Sequence, residues 1–94
     1  MEIQGIYNSK SKTIETDDVI YEIELKGVSI TDSDKDHNII IAEILDSYFD
    51  DTNYGKFDFV VFSFKEKSNN IRGTLVENYN EACDLYLEKI SDNL

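Results

Sequence analysis

Asp32-Ser33-Asp34-Lys35-Asp36-His37-Asn38-Ile39-Ile40-Ile41-Ala42-Glu43-Ile44-Leu45-Asp46-Ser47-Tyr48-Phe49-Asp50-Asp51 holds seven of the chain's twenty acidic residues and its longest apolar periodicity. How this stretch folds decides the architecture. His37, Ile40, Ile41, Ile44, Leu45 and Tyr48 recur at the i, i+3, i+4, i+7 spacing of an amphipathic helix. Thr31, Asp32 or Ser33 can cap such a helix, and aspartates in its first turn suit the helix dipole. Against this stand three consecutive β-branched residues, Ile39, Ile40 and Ile41, which favour a strand. The downstream periodicity predicts a helix over residues 35–50.

On either side the pattern is that of strands. Residues 2–7 read as a short strand, followed by a polar turn from Asn8 to Lys12 and a loop over residues 13–18. Residues 19–26 alternate, with Val19, Tyr21, Ile23 and Leu25 on one face and Ile20, Glu22, Glu24 and Lys26 on the other. Gly27 marks a bend or bulge before Val28-Ser29-Ile30. Residues 56–67 form the strongest strand, and apolar residues on both its faces predict a central position. Ser68-Asn69-Asn70 turns the chain into a shorter strand over residues 71–76. Asn78 or Asn80 then caps a last helix with Tyr79, Ala82, Cys83, Tyr86 and Ile90 on one face. The expected order is ββαββα: an α+β, two-layer single domain over residues 1–94, with two helices on one face of a four-stranded antiparallel sheet.

Ninety-four residues, 40% of them apolar, suffice for one core. A single cysteine, Cys83, precludes an internal disulfide, and the N-terminus has neither a basic region nor an apolar signal core. No run of apolar residues is long enough to span a bilayer. The expectation is a cytoplasmic chain. Twenty acidic against nine basic residues give a net charge of -11, which repels nucleic acid and anionic lipid and attracts basic proteins or cations.

Two constellations could carry chemistry. On the helical reading Asp36, Glu43 and Asp50 recur every seven residues, with Asp46 within a turn of them. In the last helix Glu77, Glu81, Asp84 and Glu88 follow at +4, +3 and +4. Like charges at i, i+4 destabilise a helix by roughly 0.2–0.5 kcal/mol per pair, so helix stability alone would place lysines between them. Asp50 and Asp51 extend the acidic surface, and Tyr48 and Tyr54 are aromatic anchors of the kind found at interface hot spots. The other constellation resembles a calcium-binding EF-hand loop: Asp32, Asp34 and Asp36 at positions 1, 3 and 5, Asn38 at position 7 and Glu43 at position 12. His37 stands where that loop wants glycine, and the preceding segment alternates like a strand rather than forming an entering helix.

No nucleophile–base pair, zinc ligand set or glycine-rich phosphate loop is present, so the chain reads as non-enzymatic and without a cofactor. The leading expectation is a small acidic inhibitor that mimics nucleic-acid charge. Its target would be a basic nucleic-acid-processing protein such as a nuclease or CRISPR effector, as in anti-CRISPR and anti-restriction counter-defence, or a toxin held by its immunity protein. Direct contact with nucleic acid or membrane is not expected. The alternatives are a calcium-binding module on residues 32–43 and a self-associating regulatory domain, a homodimer that would cover an open sheet face.

Overall fold

The computed structural model describes residues 2–31, 37–48, 57–65 and 68–92. Six antiparallel strands, β1 (Glu2–Asn8), β2 (Thr13–Glu15), β3 (Ile20–Thr31), β4 (His37–Tyr48), β5 (Phe59–Lys65) and β6 (Asn70–Val76), follow one another around a closed barrel. Closure is made by β1 against β6, from Glu2 opposite Thr74 to Ile6 opposite Asn70. One helix, α1 (Tyr79–Asp92), packs outside against β4, β5 and β6.

This corrects the sequence expectation at two places. Within the stretch expected to be a helix over residues 35–50, His37–Tyr48 form the strand β4, and the loop expected over residues 13–18 contains the three-residue strand β2. The fold is therefore a six-stranded barrel with one helix, not a four-stranded sheet carrying two.

The physical reason lies in the burial of β4. Ile40 and Ala42 point into the barrel, while Ile39 and Ile41 point outward and are covered by α1; all four are buried. A strand buried on both faces loses its polar alternation and reads as a continuous apolar run. A bulge then completes the disguise. Glu22 lies opposite Asp46 but Ile23 lies opposite Ile44, so Leu45 is an extra residue. The inward series consequently runs Ile40, Ala42, Ile44 and then Ser47, which sits opposite the buried Tyr21. Ile40, Ile44 and Ser47 stand at i, i+4 and i+7, the spacing of a helix.

Elsewhere the alternation translates directly into packing. Val19, Tyr21 and Ile23 fill the barrel with Ile3, Tyr7, Ile14, Val60, Phe62, Ile71 and Leu75, and Leu25 packs against them. The rings of Tyr7 and Phe62 meet at 5.4 Å and those of Tyr7 and Phe64 at 5.7 Å. On β5, Val60 and Phe62 face inward while Phe59 and Val61 lie under α1, as expected of a central strand. Gly73 sits opposite Phe62 on the inward face, where an added Cβ would stand 2.8 Å from the Phe62 Cβ. Gly5 passes so close to β2 that a Cβ would run into the carbonyl oxygen of Glu15. Both glycines make room for the walls to curve shut.

The helix starts where its cap dictates. The Asn78 side-chain oxygen accepts the Glu81 N–H at 2.9 Å, and Glu81 in turn accepts the Glu77 N–H at 3.3 Å. Its inner face is the expected one: Ala82 is buried, Cys83, Tyr86 and Ile90 pack on Ile39, Ile41 and Val61, and the Tyr79 ring rests 5.4 Å from Phe59. No helix among the described residues is long and apolar enough to cross a membrane.

Candidate partner-binding surface

Cross-strand register places four carboxylates together on the outer wall of the barrel. Glu22 and Glu24 alternate with the buried Tyr21 and Ile23, so they point outward from β3. Asp46 lies directly opposite Glu22, and Glu43 directly opposite Glu24. Like charges facing each other across an antiparallel pair are destabilising. Lys26 relieves one row: its Nζ stands 3.3 Å from Glu24 Oε2 and 3.7 Å from Glu43 Oε1. Asp46 accepts the N–H of Ser47 at 2.8 Å, which orients its carboxylate beside the Leu45 bulge.

The second set of carboxylates is carried by α1. At about 100° per residue, Glu81, Asp84 and Glu88 fall within about 60° of arc, opposite Ala82, Tyr86 and Ile90. All three are exposed and point away from the barrel, and Glu77 is exposed just before the helix. Register shows where this stripe begins. Phe59 lies opposite Glu43 on one side and Val76 on the other, and the Tyr79 ring packs against Phe59 at a tilt of 56°. The first turn of α1 thus lies beside the row that carries Glu24 and Glu43. The Tyr79 hydroxyl shares a hydrogen bond with Cys83, which raises its pKa, while the ammonium of Lys26 pulls it the other way.

Of the expected partner-binding residues, Glu43, Asp46, Glu77, Glu81, Asp84 and Glu88 lie on this outer surface. Glu43 does so from a strand, so the seven-residue helical line through Asp36, Glu43 and Asp50 is not formed. Tyr48 ends β4 opposite Ile20. Asp36, Asp50, Asp51 and Tyr54 lie outside the described residues, as do Asp32 and Asp34. The two described members of the calcium constellation are not brought together. Asn38 shares the face of Ile40 and Glu43 the opposite one, five positions along an extended strand, or roughly 17 Å. Among the described residues no group of three His, Cys, Asp or Glu side chains gathers to hold a metal ion.

Glu22, Glu24 and Lys26 are not among the expected partner-binding residues. Their signal was present as the wet face of an alternating strand, but its meaning depends on β4 being the neighbouring strand. Comparison with protein-family models, curated proteins and solved structures finds no match for this chain.

Proposed function

We propose that the chain is a non-catalytic binding protein that engages a basic protein through this acidic outer surface. The observation that supports the reading is the direct opposition of Glu24 to Glu43 and of Glu22 to Asp46, next to a helix that exposes Glu81, Asp84 and Glu88 along one line. Opposed carboxylates weaken the sheet and i, i+4 carboxylates weaken the helix. Folding gains nothing from either arrangement, whereas association with a cationic surface gains from both. Proteins that track phosphates have such surfaces, so a nucleic-acid-processing protein is the partner class this charge pattern suits best.

The test is competition. A panel of basic nucleic-acid-binding proteins is titrated with the chain, with and without a DNA oligonucleotide, at two salt concentrations. Binding is expected to fall steeply with salt, because the Debye length shrinks to about 8 Å at physiological ionic strength. It is also expected to be displaced by the oligonucleotide and to be lost in a Glu43→Lys, Asp46→Lys, Glu81→Lys, Asp84→Lys variant. Affinity unchanged by salt or by these reversals would overturn the reading.

A further inference from the structure

We infer that the overhanging edge of β3 is a strand-addition site for an extended, lysine- or arginine-bearing segment of the partner, an inference that rests on the basic-partner reading above. β2 pairs with β3 only over residues 20–22, and Ile23 adds one bond, donating its N–H to the Lys12 carbonyl at 3.0 Å. β4 stays paired with β3 as far as Thr31. From Glu24 onward β3 therefore has a bonded neighbour on one side only, among the described residues.

The direction of the free backbone groups follows from the ladder. Successive N–H groups point to alternate edges of a strand. Ile23 points its N–H toward β2, so Leu25 does the same. The bulge between Leu25 and Gly27 adds one residue, Lys26, which shifts the phase and turns Val28 and then Ile30 to that edge. Among the described residues the N–H groups of Leu25 and Val28 have no acceptor. A row of unpaired donors and acceptors is a template for another strand.

Proteins commonly blunt such an edge with a lysine. Here Lys26 is drawn aside to Glu24 and Glu43, and Val28 is left 51% exposed beside the open backbone. Charge selects the occupant. The side chain of Glu24, on the edge strand itself, is 57% exposed, Glu43 lies on the next strand, and the chain carries a net -11. A second copy would bring the same charge against it. A basic extended segment meets both demands, backbone pairing and neutralisation.

The experiment uses a short synthetic peptide of alternating lysine and valine, and the same peptide N-methylated at alternate residues, which keeps the charge and removes backbone donors. The unmethylated peptide is expected to bind and to slow amide exchange at Leu25 and Val28. Methylation is expected to weaken binding about tenfold or more, from the loss of several backbone bonds. Val28→Pro is expected to weaken it similarly, and the methylated peptide on the unaltered chain gives the same answer should that variant not fold. Equal affinity for the two peptides, or unchanged exchange at both amides, overturns strand addition while leaving the charge reading intact. Binding indifferent to salt and to Glu24→Gln with Glu43→Gln overturns the basic occupant and the charge reading together. Ultracentrifugation showing a dimer that Val28→Pro dissociates would assign the edge to a second copy instead.

Discussion

Glu24 and Glu43 face each other across β3 and β4 with the Lys26 ammonium between them, 3.3 Å from one carboxylate and 3.7 Å from the other. All three side chains are a third or more exposed, or nearly so, and solvent screening keeps each ion pair weak. Lys26→Met is therefore expected to destabilise the fold by only about 0.5–1 kcal/mol at low salt. The loss should shrink as salt screens the two carboxylates from each other. Glu43→Gln should offset it when combined with Lys26→Met. Urea denaturation of the single and double variants at two salt concentrations checks both statements.

Ile39 distinguishes the strand from the helix that its neighbourhood resembles. It is fully buried, under α1, although it lies outside the barrel. Ile39→Ala is expected to cost about 2–5 kcal/mol, as much as Ile40→Ala inside the barrel. On an amphipathic helix whose inner face holds Ile40, Ile41 and Ile44, Ile39 would point to solvent and the change would be nearly neutral. Guanidinium denaturation of the pair separates the two cases.

Gly73 is tied to Phe62 by lack of space. Gly73→Ala would push a methyl to 2.8 Å from the Phe62 Cβ, with the Val61 carbonyl oxygen at 3.1 Å. Overpacking of this kind costs about 1–3 kcal/mol. Because the crowding involves the Phe62 Cβ and the backbone rather than the ring, Phe62→Leu should give no rescue. Thermal melting of Gly73→Ala alone and with Phe62→Leu reads this out.

Two tyrosines set an alkaline limit. Tyr7 is held above the ordinary tyrosine value of 10.0 by burial inside the barrel, and Tyr79 is raised mainly by its hydrogen bond with Cys83. A raised pKa in the folded state means that folding favours the protonated phenol. Their contribution is complete below the unfolded value of 10.0 and is lost as pH rises through the folded values. Stability is expected to fall on that side, less steeply in Tyr7→Phe. Cys83→Ala should return the Tyr79 titration toward the ordinary value, as followed by phenolate absorbance.

Lys12 adopts a left-handed backbone, φ 56°, in the β1–β2 turn that Asn8 organises by accepting the N–H groups of Lys10 and Ser11. A side chain there costs roughly 1–2 kcal/mol that glycine avoids. Lys12→Gly is expected to raise the melting temperature, since relief of that strain exceeds the added unfolded-state entropy.

β3 and α1 are legible in the sequence because their two faces see different surroundings, and β5 because its aromatic and β-branched residues favour a strand without any helical spacing. β3 announces itself because Tyr21 and Ile23 face the core while Glu22 and Glu24 face water. In α1, Ala82 and Tyr86 face the barrel while Asp84 and Glu88 face out. β4 hides because both its faces are apolar and its bulge at Leu45 changes phase midway. β2 hides because Thr13-Ile14-Glu15 offers a single buried side chain, Ile14, and no period can be read from one residue. The acidic surface was legible residue by residue on α1. On the sheet only Glu43 and Asp46 were found, since adjacency across strands is a property of register. Once β4 is placed beside β3, the partners of those two residues follow at once.

The pairing of Glu2 with Thr74 carries one more consequence, for how the chain reaches this shape. The second residue waits for the seventy-fourth, so the seam cannot close until β6 has been made. The β3–β4 and β1–β2 hairpins are local and can form early; the Glu2–Gly5 part of β1 lacks a strand partner until β6 has been made. Closing the seam therefore costs the loop entropy of the roughly seventy residues between β1 and β6, and a covalent link across that seam is expected to speed folding.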